Sequence, residues 1–177
     1  MQNTSRWSFS TTPLGITTKL AIEITDPELI QDHLAINYTS MFTLTSHFLS
    51  HFKTGHRMII NHTSTAAFRF CPSYSQYSAC KAARNAYMGV LAVENPDVRV
   101  LSYSPDPVDT DMLQKRVILR RWLVDSGNAY ASNQVLSCKE SINKFVQILR
   151  EDKFESGASI DFWNYPWSCT INRKEAT

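Results

Sequence analysis

The chain has 177 residues, of which 43% are hydrophobic and 19% are charged, and its net charge is only +2. This length suffices for one domain with a buried core and hardly for two. The small net charge and the lack of a Lys/Arg block argue against nucleic acid or an anionic membrane as a partner, and no apolar run approaches the length of a membrane span. The four cysteines show no CxxC pair and no metal-ligand spacing, so we expect free thiols, no metal site and a cytoplasmic location.

Hydrophobic periodicity and turn residues predict alternating helices and strands. Residues 1–24 show no clear period, and we expect a poorly ordered N-terminal segment there. A helix should begin at Pro27, where Thr25 or Asp26 can cap it, and should end at about Phe52. The later predicted elements are a strand at 57–62, a helix at 74–94, a strand at 98–104, helices at 112–125 and 134–151, and a strand at 157–163. This order indicates an α/β fold with a parallel sheet in a domain at 25–163, followed by a tail at 164–177.

Four polar residues are candidates for a catalytic group. Tyr77 and Lys81 are four residues apart and share a helix face, and a cation beside the phenol would lower the pKa of Tyr77 towards that of a general acid or base. Ser64 follows a strand end, where ligands of open α/β sheets bind, and could polarise a substrate carbonyl. Asn37, a polar residue in an apolar stripe, could hold a water that relays protons to Lys81. Taken singly, each has an ordinary structural interpretation: Tyr77 and Lys81 as a surface pair, Ser64 as a turn residue and Asn37 as an amide in helix packing. Their combination favours a catalytic site.

Several segments resemble the short-chain dehydrogenase/reductase family: "AINYTS", "IINHTS", "YSACKAA", "VRVLSYSPDPVDTDM" and "SGASIDF". The likeness covers about residues 12–163. The spacing from Ser64 through Tyr77 to Lys81 is characteristic of the family, and "NPDVRVLSYSPDPVDTDM" is characteristic of its sepiapterin-reducing branch. The resemblance implies the C-terminal part of a Rossmann-type doubly wound parallel sheet, with about three strands kept and helices flanking them.

The resemblance also implies roles for individual residues. Asn37, Ser64, Tyr77 and Lys81 match the family's catalytic tetrad, and Tyr77 and Lys81 would also contact the nicotinamide end of NADP(H). The loop that closes over that end is matched by Val108, Asp109, Thr110, Asp111 and Met112. Asp161 matches the carboxylate that anchors a pterin ring, although alone it would be read as a solvated strand-end acid. The implied activity is NADPH-dependent reduction of a carbonyl group, on a pterin or another small substrate, in tetrahydrobiopterin biosynthesis.

The sequence departs from the family pattern in two places. Its five glycines are too dispersed to form the G-x-x-x-G-x-G turn that seats a pyrophosphate. Asp106 stands in the substrate site where the family has glycine, and it would add bulk and negative charge beside the hydride path. We therefore expect impaired activity. The alternative is an inactive fragment or splice form that pairs with full-length enzyme. Whether it is an impaired enzyme or an inactive fragment, the chain should dimerise through the helices at 27–52 and 74–94, which form the family's dimer interface.

Overall fold

The structure is a computed structural model, which describes residues 6–11, 19–105, 107–114 and 135–163. It contains a sheet of 4 parallel strands in chain order. The strands are β1 (Arg6–Thr11), β2 (His56–His62), β3 (Val98–Ser104) and β4 (Ala158–Asp161). The α/β prediction is confirmed, and the sheet has one strand more than the pattern predicted. The domain boundaries proposed at 24/25 and 163/164 stay predictions.

The additional strand, β1, lies in the part of the sequence for which no element was predicted. It pairs in parallel with β2 from Arg6 opposite His56 to Thr11 opposite Asn61. A signal was present, because Trp7 and Phe9 alternate with polar residues over "RWSFST", which is the period of a strand. β1 therefore covers the side of β2 that faces away from β3.

The helices begin and end close to the predicted positions. They are α1 (Pro27–Leu34), α2 (Ser40–His51), α3 (Ser75–Glu94), α4 (Asp111–Gln114) and α5 (Cys138–Glu151). The Asp26 side chain caps α1 by accepting a hydrogen bond from the Glu28 backbone N–H at 3.0 Å. α5 begins four residues later than predicted, because Ser137 and Glu140 form a capping box there. Of the helix predicted at 112–125, only α4 lies within the described residues.

The helix predicted at 27–52 contains an irregularity at its middle. α1 and α2 are joined by a π-helical turn, Ala35–Thr39, in which the Ser40 backbone N–H donates to the Ala35 carbonyl five residues earlier. Turns of this kind are rare and are often found at functional sites. Asn37 lies at the centre of this turn.

Helices cover both faces of the sheet, as in a doubly wound fold. Because side chains alternate along a strand, Ile59 and Val100 pack with Met41 and Met88 against α2 and α3. The alternate residues Ile60 and Leu101 pack on the opposite face with Phe145, Ile148 and Leu149 of α5. Parallel pairing brings the carboxyl ends of β2, β3 and β4 to one edge of the sheet, and polar side chains gather at that edge.

Candidate active site

Helix α3 places Tyr77 and Lys81 on one face. The Lys81 side chain lies under the Tyr77 ring, with Nζ 5.3 Å from the ring centroid. Lys81 is only 3% exposed, and its ammonium group donates a hydrogen bond to the backbone carbonyl of His62, at the end of β2. The cation is therefore held at the junction of α3 and the carboxyl edge of the sheet.

Burial sets the protonation behaviour of this junction. Burial, with a smaller contribution from the neighbouring Arg84 cation, lowers the pKa of Lys81 to about 7, whereas Cys80 acts in the opposite direction. Burial, with smaller contributions from Lys81 and Arg84, lowers the pKa of His62 to about 4. Lys81 can therefore exchange a proton near neutral pH, while His62 is neutral there.

Ser64 lies directly beyond β2 and has extended backbone geometry. Its Oγ accepts a hydrogen bond from the Ala66 backbone N–H at 3.2 Å, which caps the short 3-10 turn Thr65–Ala67. The Thr65 backbone N–H donates to Ser104 Oγ at 3.2 Å, which ties this turn to the end of β3. Because Ala66 packs in one apolar cluster with Tyr74 and Tyr77, the fold brings Ser64 and Tyr77 to the same corner of the sheet.

Asn37 is 1% exposed and lies in the π-helical turn. Its Nδ2 donates to the His33 carbonyl at 2.9 Å. Its own backbone carbonyl accepts a hydrogen bond from Arg84 Nη1 at 3.3 Å. Arg84 lies three residues after Lys81 on α3, so this hydrogen bond ties the turn that carries Asn37 to the helix that carries Lys81.

The loop predicted to close over the nicotinamide is fixed at both ends in the part that the structure describes. Val108 bridges to Leu136, and the Asp109 backbone N–H donates to the Leu136 carbonyl at 2.9 Å. Thr110 is followed by α4, which contains Asp111 and Met112. Leu113 of α4 packs against the cluster that contains Tyr74 and Tyr77. The loop therefore reaches the candidate site, whereas Asp106 lies outside the described residues.

Asp161 is fully buried at the end of β4 rather than solvated. It lies in register with Ser104 of β3, and its Oδ1 accepts a hydrogen bond from the Trp163 backbone N–H at 2.9 Å. Its carboxylate thus belongs to the same edge of the sheet as Ser64, two strands away.

The sequence interpretation missed a second layer of buried polar residues behind the tetrad candidates. Asn61 of β2 accepts from Arg84 Nε at 2.9 Å, and its Nδ2 lies 3.0 Å both from Asn85 Oδ1 and from Ser102 Oγ. Asn61 carried a signal, since it is a polar residue inside the apolar run "RMIINH". Arg84 carried none, because an arginine on a helix is usually a surface residue.

The described residues contain neither a group of three or more His, Cys, Asp or Glu side chains suited to a metal ion nor a helix long and apolar enough to cross a membrane. Cys71, Cys80 and Cys138, the cysteines within that part of the chain, are free thiols. The polar groups that the described residues bring to the candidate site are a phenol, a buried ammonium group, a hydroxyl and a carboxylate.

Comparisons with known proteins agree with this geometry. The family model described as short chain dehydrogenase matches residues 14–118. The chain is 38% identical to sepiapterin reductase of Bos taurus over 160 residues, which is 85% of this chain and 59% of the bovine protein. It is 34% identical to sepiapterin reductase of Rattus norvegicus, again over 85% of this chain and 60% of the relative. The chain thus spans less than two thirds of the length of these relatives.

Solved structures show the same fold at lower sequence identity. A 3-ketoacyl-(acyl-carrier-protein) reductase from Brucella melitensis complexed with NADH superimposes with a TM-score of 0.70 at 21% identity, over 88% of this chain and 64% of that one. The angucycline C-6 ketoreductase LanV with bound NADP superimposes with a TM-score of 0.69 at 19% identity, over 88% and 60%. The family match, the strand order and the arrangement of Ser64, Tyr77 and Lys81 lead to one conclusion: the chain belongs to the short-chain dehydrogenase family.

Proposed function

We propose that this chain is a carbonyl reductase that uses NADPH to reduce a ketone on a pterin or a similar small substrate. The observation that carries the proposal is the buried Lys81 ammonium group beneath the Tyr77 ring, where it donates to the carbonyl of His62 at the end of the strand that precedes Ser64. Sequence similarity to sepiapterin reductases supports the choice of a pterin as the substrate class.

The contacts of Ser64, Tyr77 and Lys81 support the catalytic role that we propose for each. Ser64 Oγ accepts from the Ala66 N–H, so its hydroxyl hydrogen can donate to a substrate carbonyl oxygen. Tyr77 donates the proton that the carbonyl oxygen takes up, and the Lys81 cation stabilises the negative charge left on the phenol oxygen. We also propose that Asn37 lies at the far end of a proton path, where it would hold a water molecule that relays protons to Lys81.

NADPH would supply the hydride. Tyr77 and Lys81 fit the nicotinamide end of this cofactor, because a phenol and a buried ammonium group on one helix face can hydrogen-bond ribose hydroxyls. Val108, Asp109, Thr110, Asp111 and Met112 would cover that end. The dispersed glycines provide no G-x-x-x-G-x-G turn for the pyrophosphate, so we propose that the chain binds NADPH weakly and turns over slowly.

The substrate side of the site would be formed at the end of β4. A buried carboxylate such as that of Asp161 can accept two hydrogen bonds from the amino-pyrimidine edge of a pterin. Asp106, the other substrate-binding residue predicted from the sequence, lies outside the described residues, and its effect on substrate choice stays a prediction. We also place the protein in the cytoplasm, which agrees with the free thiols of the described cysteines.

A second copy of the chain is the partner we propose, docked on α1, α2 and α3. Leu44 of α2 and Val90 of α3 are half exposed although they are apolar, which favours an interface on these helices. The same surface supports the second candidate function, in which the chain is catalytically inactive and pairs with a longer relative of the family.

Cofactor binding followed by turnover tests the proposal. The purified, folded chain would be titrated with NADPH while cofactor fluorescence is recorded, and the oxidation of NADPH would then be followed with sepiapterin. We expect saturable binding and slow turnover. Tyr77→Phe should abolish the turnover, whereas NADPH binding should become weaker but stay saturable, because Lys81 can still contact the cofactor. Tyr38→Phe, which removes a phenolic hydroxyl from the π-helical turn, is the matched control. Absence of NADPH binding would overturn the reductase and leave the pairing function.

A further inference from the structure

A buried arginine on α3 has no part in the reaction proposed above. Arg84 is 1% exposed, and it lies three residues after Lys81 and seven after Tyr77, so the three side chains share one face of the helix. Burying a guanidinium group is unfavourable unless its hydrogen bonds are satisfied, and an apolar side chain of similar volume would fill the same space without that cost. A structural reason for the arginine must therefore lie in its contacts.

The contacts of Arg84 join α3 to β2 and to the π-helical turn, and Asn61 extends them to β3. Its Nε donates to Asn61 Oδ1 on β2 at 2.9 Å, and its Nη1 donates to the backbone carbonyl of Asn37 at 3.3 Å. Asn61 Nδ2 in turn lies 3.0 Å from Ser102 Oγ on β3. The guanidinium fork thus connects α3 with the sheet on one side and with the π-helical turn on the other.

The π-helical turn explains why the Asn37 carbonyl is reached from outside its own helix. Within Ala35–Thr39 the usual pairing of each carbonyl with the N–H four residues later is interrupted. A carbonyl at such an interruption can accept a hydrogen bond from another element, and a planar guanidinium group can serve this carbonyl and Asn61 at the same time.

We propose that Arg84 is a positioning residue, which holds the turn that carries Asn37 in register with the helix face that carries Lys81 and Tyr77. The proposal rests on the reductase function proposed above, and it assigns Arg84 no contact with substrate or cofactor. Without the guanidinium fork, the turn and the helix would lose their common anchor on β2, and the two ends of the proton path would no longer be held at a fixed separation.

The charges around Lys81 agree with this role. The titratable groups that face its ammonium group are Tyr77, Cys80 and Arg84 on α3 and His62 on β2, with His33 of α1 3.7 Å from Cys80 Sγ. After burial, Arg84 makes the largest contribution to the lowered pKa of Lys81, and it also lowers the pKa of His62. Arg84 therefore has two separable effects, one through its charge and one through its geometry.

Two substitutions separate these effects. Arg84→Met removes the charge and both donors, whereas Arg84→Lys keeps the charge and loses the planar fork. Arg150→Met, at an exposed position of α5, is the matched control. Three quantities would be measured on the folded chain: amide hydrogen exchange of residues 35–40 and the ¹³C NMR titration of the Lys81 side chain, both without cofactor, and then kcat and KM.

We expect exchange in the π-helical turn to accelerate about tenfold in both Arg84 variants, as for the loss of one charged hydrogen bond. The Lys81 titration midpoint should rise only in Arg84→Met, because Arg84→Lys keeps the cation. In both variants kcat should fall roughly 10- to 100-fold with KM little changed, as for misplaced catalytic groups.

The outcomes distinguish this inference from the reductase function. If both variants keep wild-type exchange and wild-type kcat, Arg84 is not a positioning residue, whatever the chain reduces. If the wild-type chain shows no turnover but exchange accelerates in both variants, the reductase function fails and the anchoring of the turn stands. Should Arg84→Met fail to fold, Arg84→Lys decides through exchange and kcat, because it keeps the buried charge.

Discussion

Lys81 is the residue on which the proposed chemistry depends most directly. Its ammonium group is buried, and it donates to the His62 carbonyl under the Tyr77 ring. A buried lysine with a pKa of about 7 is poised between its charged and neutral forms at neutral pH, which suits a group that assists proton transfer. Because the same burial disfavours the charged form of Lys81, protonation of Lys81 destabilises the folded chain. This effect can be measured without a substrate.

We expect the stability of the chain to rise with pH because of Lys81. Its pKa is 10.5 in the unfolded chain and about 7 in the folded one, so between these values the unfolded chain binds more protons. The free energy of unfolding therefore increases as the pH rises from about 7 towards about 10.5, and the cost of burying the charge is fully present below about pH 7. Urea denaturation at about pH 7 and about pH 9 measures the effect.

In Lys81→Met this rise should be lost, whereas Lys139→Met, which removes an exposed lysine of α5, is the control for loss of a lysine elsewhere. If Lys81→Met kept the wild-type increase between the two pH values, the lowered pKa of Lys81 would be refuted. The experiment reads the free energy of unfolding, so it is independent of whether the chain binds NADPH.

The candidate residues differ in how far the sequence could predict them. Tyr77 and Lys81 follow from their spacing on a helix, and Ser64 follows from its place after a strand, because local geometry determines both. Arg84 and Asn61 meet only when α3 packs on β2. No local sequence pattern predicts this tertiary contact. Because arginine side chains are usually exposed, the sequence also does not predict that Arg84 is buried. The substrate-binding role of Asp161 was predicted only through the family resemblance, because an acid at a strand end would otherwise be expected to be solvated.

At the scale of the element, the π-helical turn explains an error in the predicted inward face of α1 and α2. Hydrophobic periodicity at steps of three and four along residues 27–52 predicts an inward stripe that includes Leu34 and Leu44, and both are exposed. The buried residues are instead His33, Asn37, Met41 and Thr45, which are spaced by four. A regular helix of 3.6 residues per turn would rotate such a series off its face, whereas a turn with an extra residue keeps it aligned.

The N-terminal cap of helix α5 lies next to the residue that holds the loop segment 107–109. Ser137 Oγ accepts from the Glu140 backbone N–H at 3.2 Å, and Glu140 Oε2 accepts from the Ser137 backbone N–H at 2.9 Å. Leu136, the residue before the cap, holds the loop through hydrogen bonds with Pro107 and Asp109. The cap therefore fixes the start of α5 and, through it, the segment 107–109.

We expect Ser137→Ala to lower the free energy of unfolding by about 1 kcal/mol, the usual cost of losing an N-cap. Exchange of the Asp109 amide should accelerate as well, because its acceptor, the Leu136 carbonyl, precedes the weakened turn. Ser137→Asn restores a capping side chain and should behave like the wild type in both measurements. Unchanged Asp109 exchange in a destabilised Ser137→Ala chain would show that the loop is held independently of the cap.

At the scale of the whole molecule, the alternation of strands and helices along the chain was predictable because it follows from local periodicity. Every element predicted between residues 56 and 104 is present with nearly the predicted ends. β1 was missed although Trp7 and Phe9 alternate with polar residues, because a single short alternation is a weak signal. Which face a helix buries was predicted less well. In the helix predicted at 134–151, the spacing of the apolar residues predicts that Ile142, Phe145, Val146 and Leu149 face inward. Phe145 and Leu149 pack on the sheet, whereas Ile142 and Val146 are exposed.

The outer surface of α2 and α3 yields the prediction at this scale. The two helices lie side by side, with the rings of Phe42 and Tyr87 3.8 Å apart, and Leu44 and Val90 are exposed on them. If a second copy docks there, a carboxylate at either position would be buried without a partner, at a cost of several kcal/mol. We therefore expect the wild-type chain to sediment as a dimer and both Leu44→Glu and Val90→Glu to sediment as monomers with unchanged circular dichroism.

Ile142→Glu, at an equally exposed apolar position of α5, should remain dimeric and is the matched control. Sedimentation velocity over a wide range of concentrations measures this, and a wild-type chain that stays monomeric throughout would exclude the homodimer.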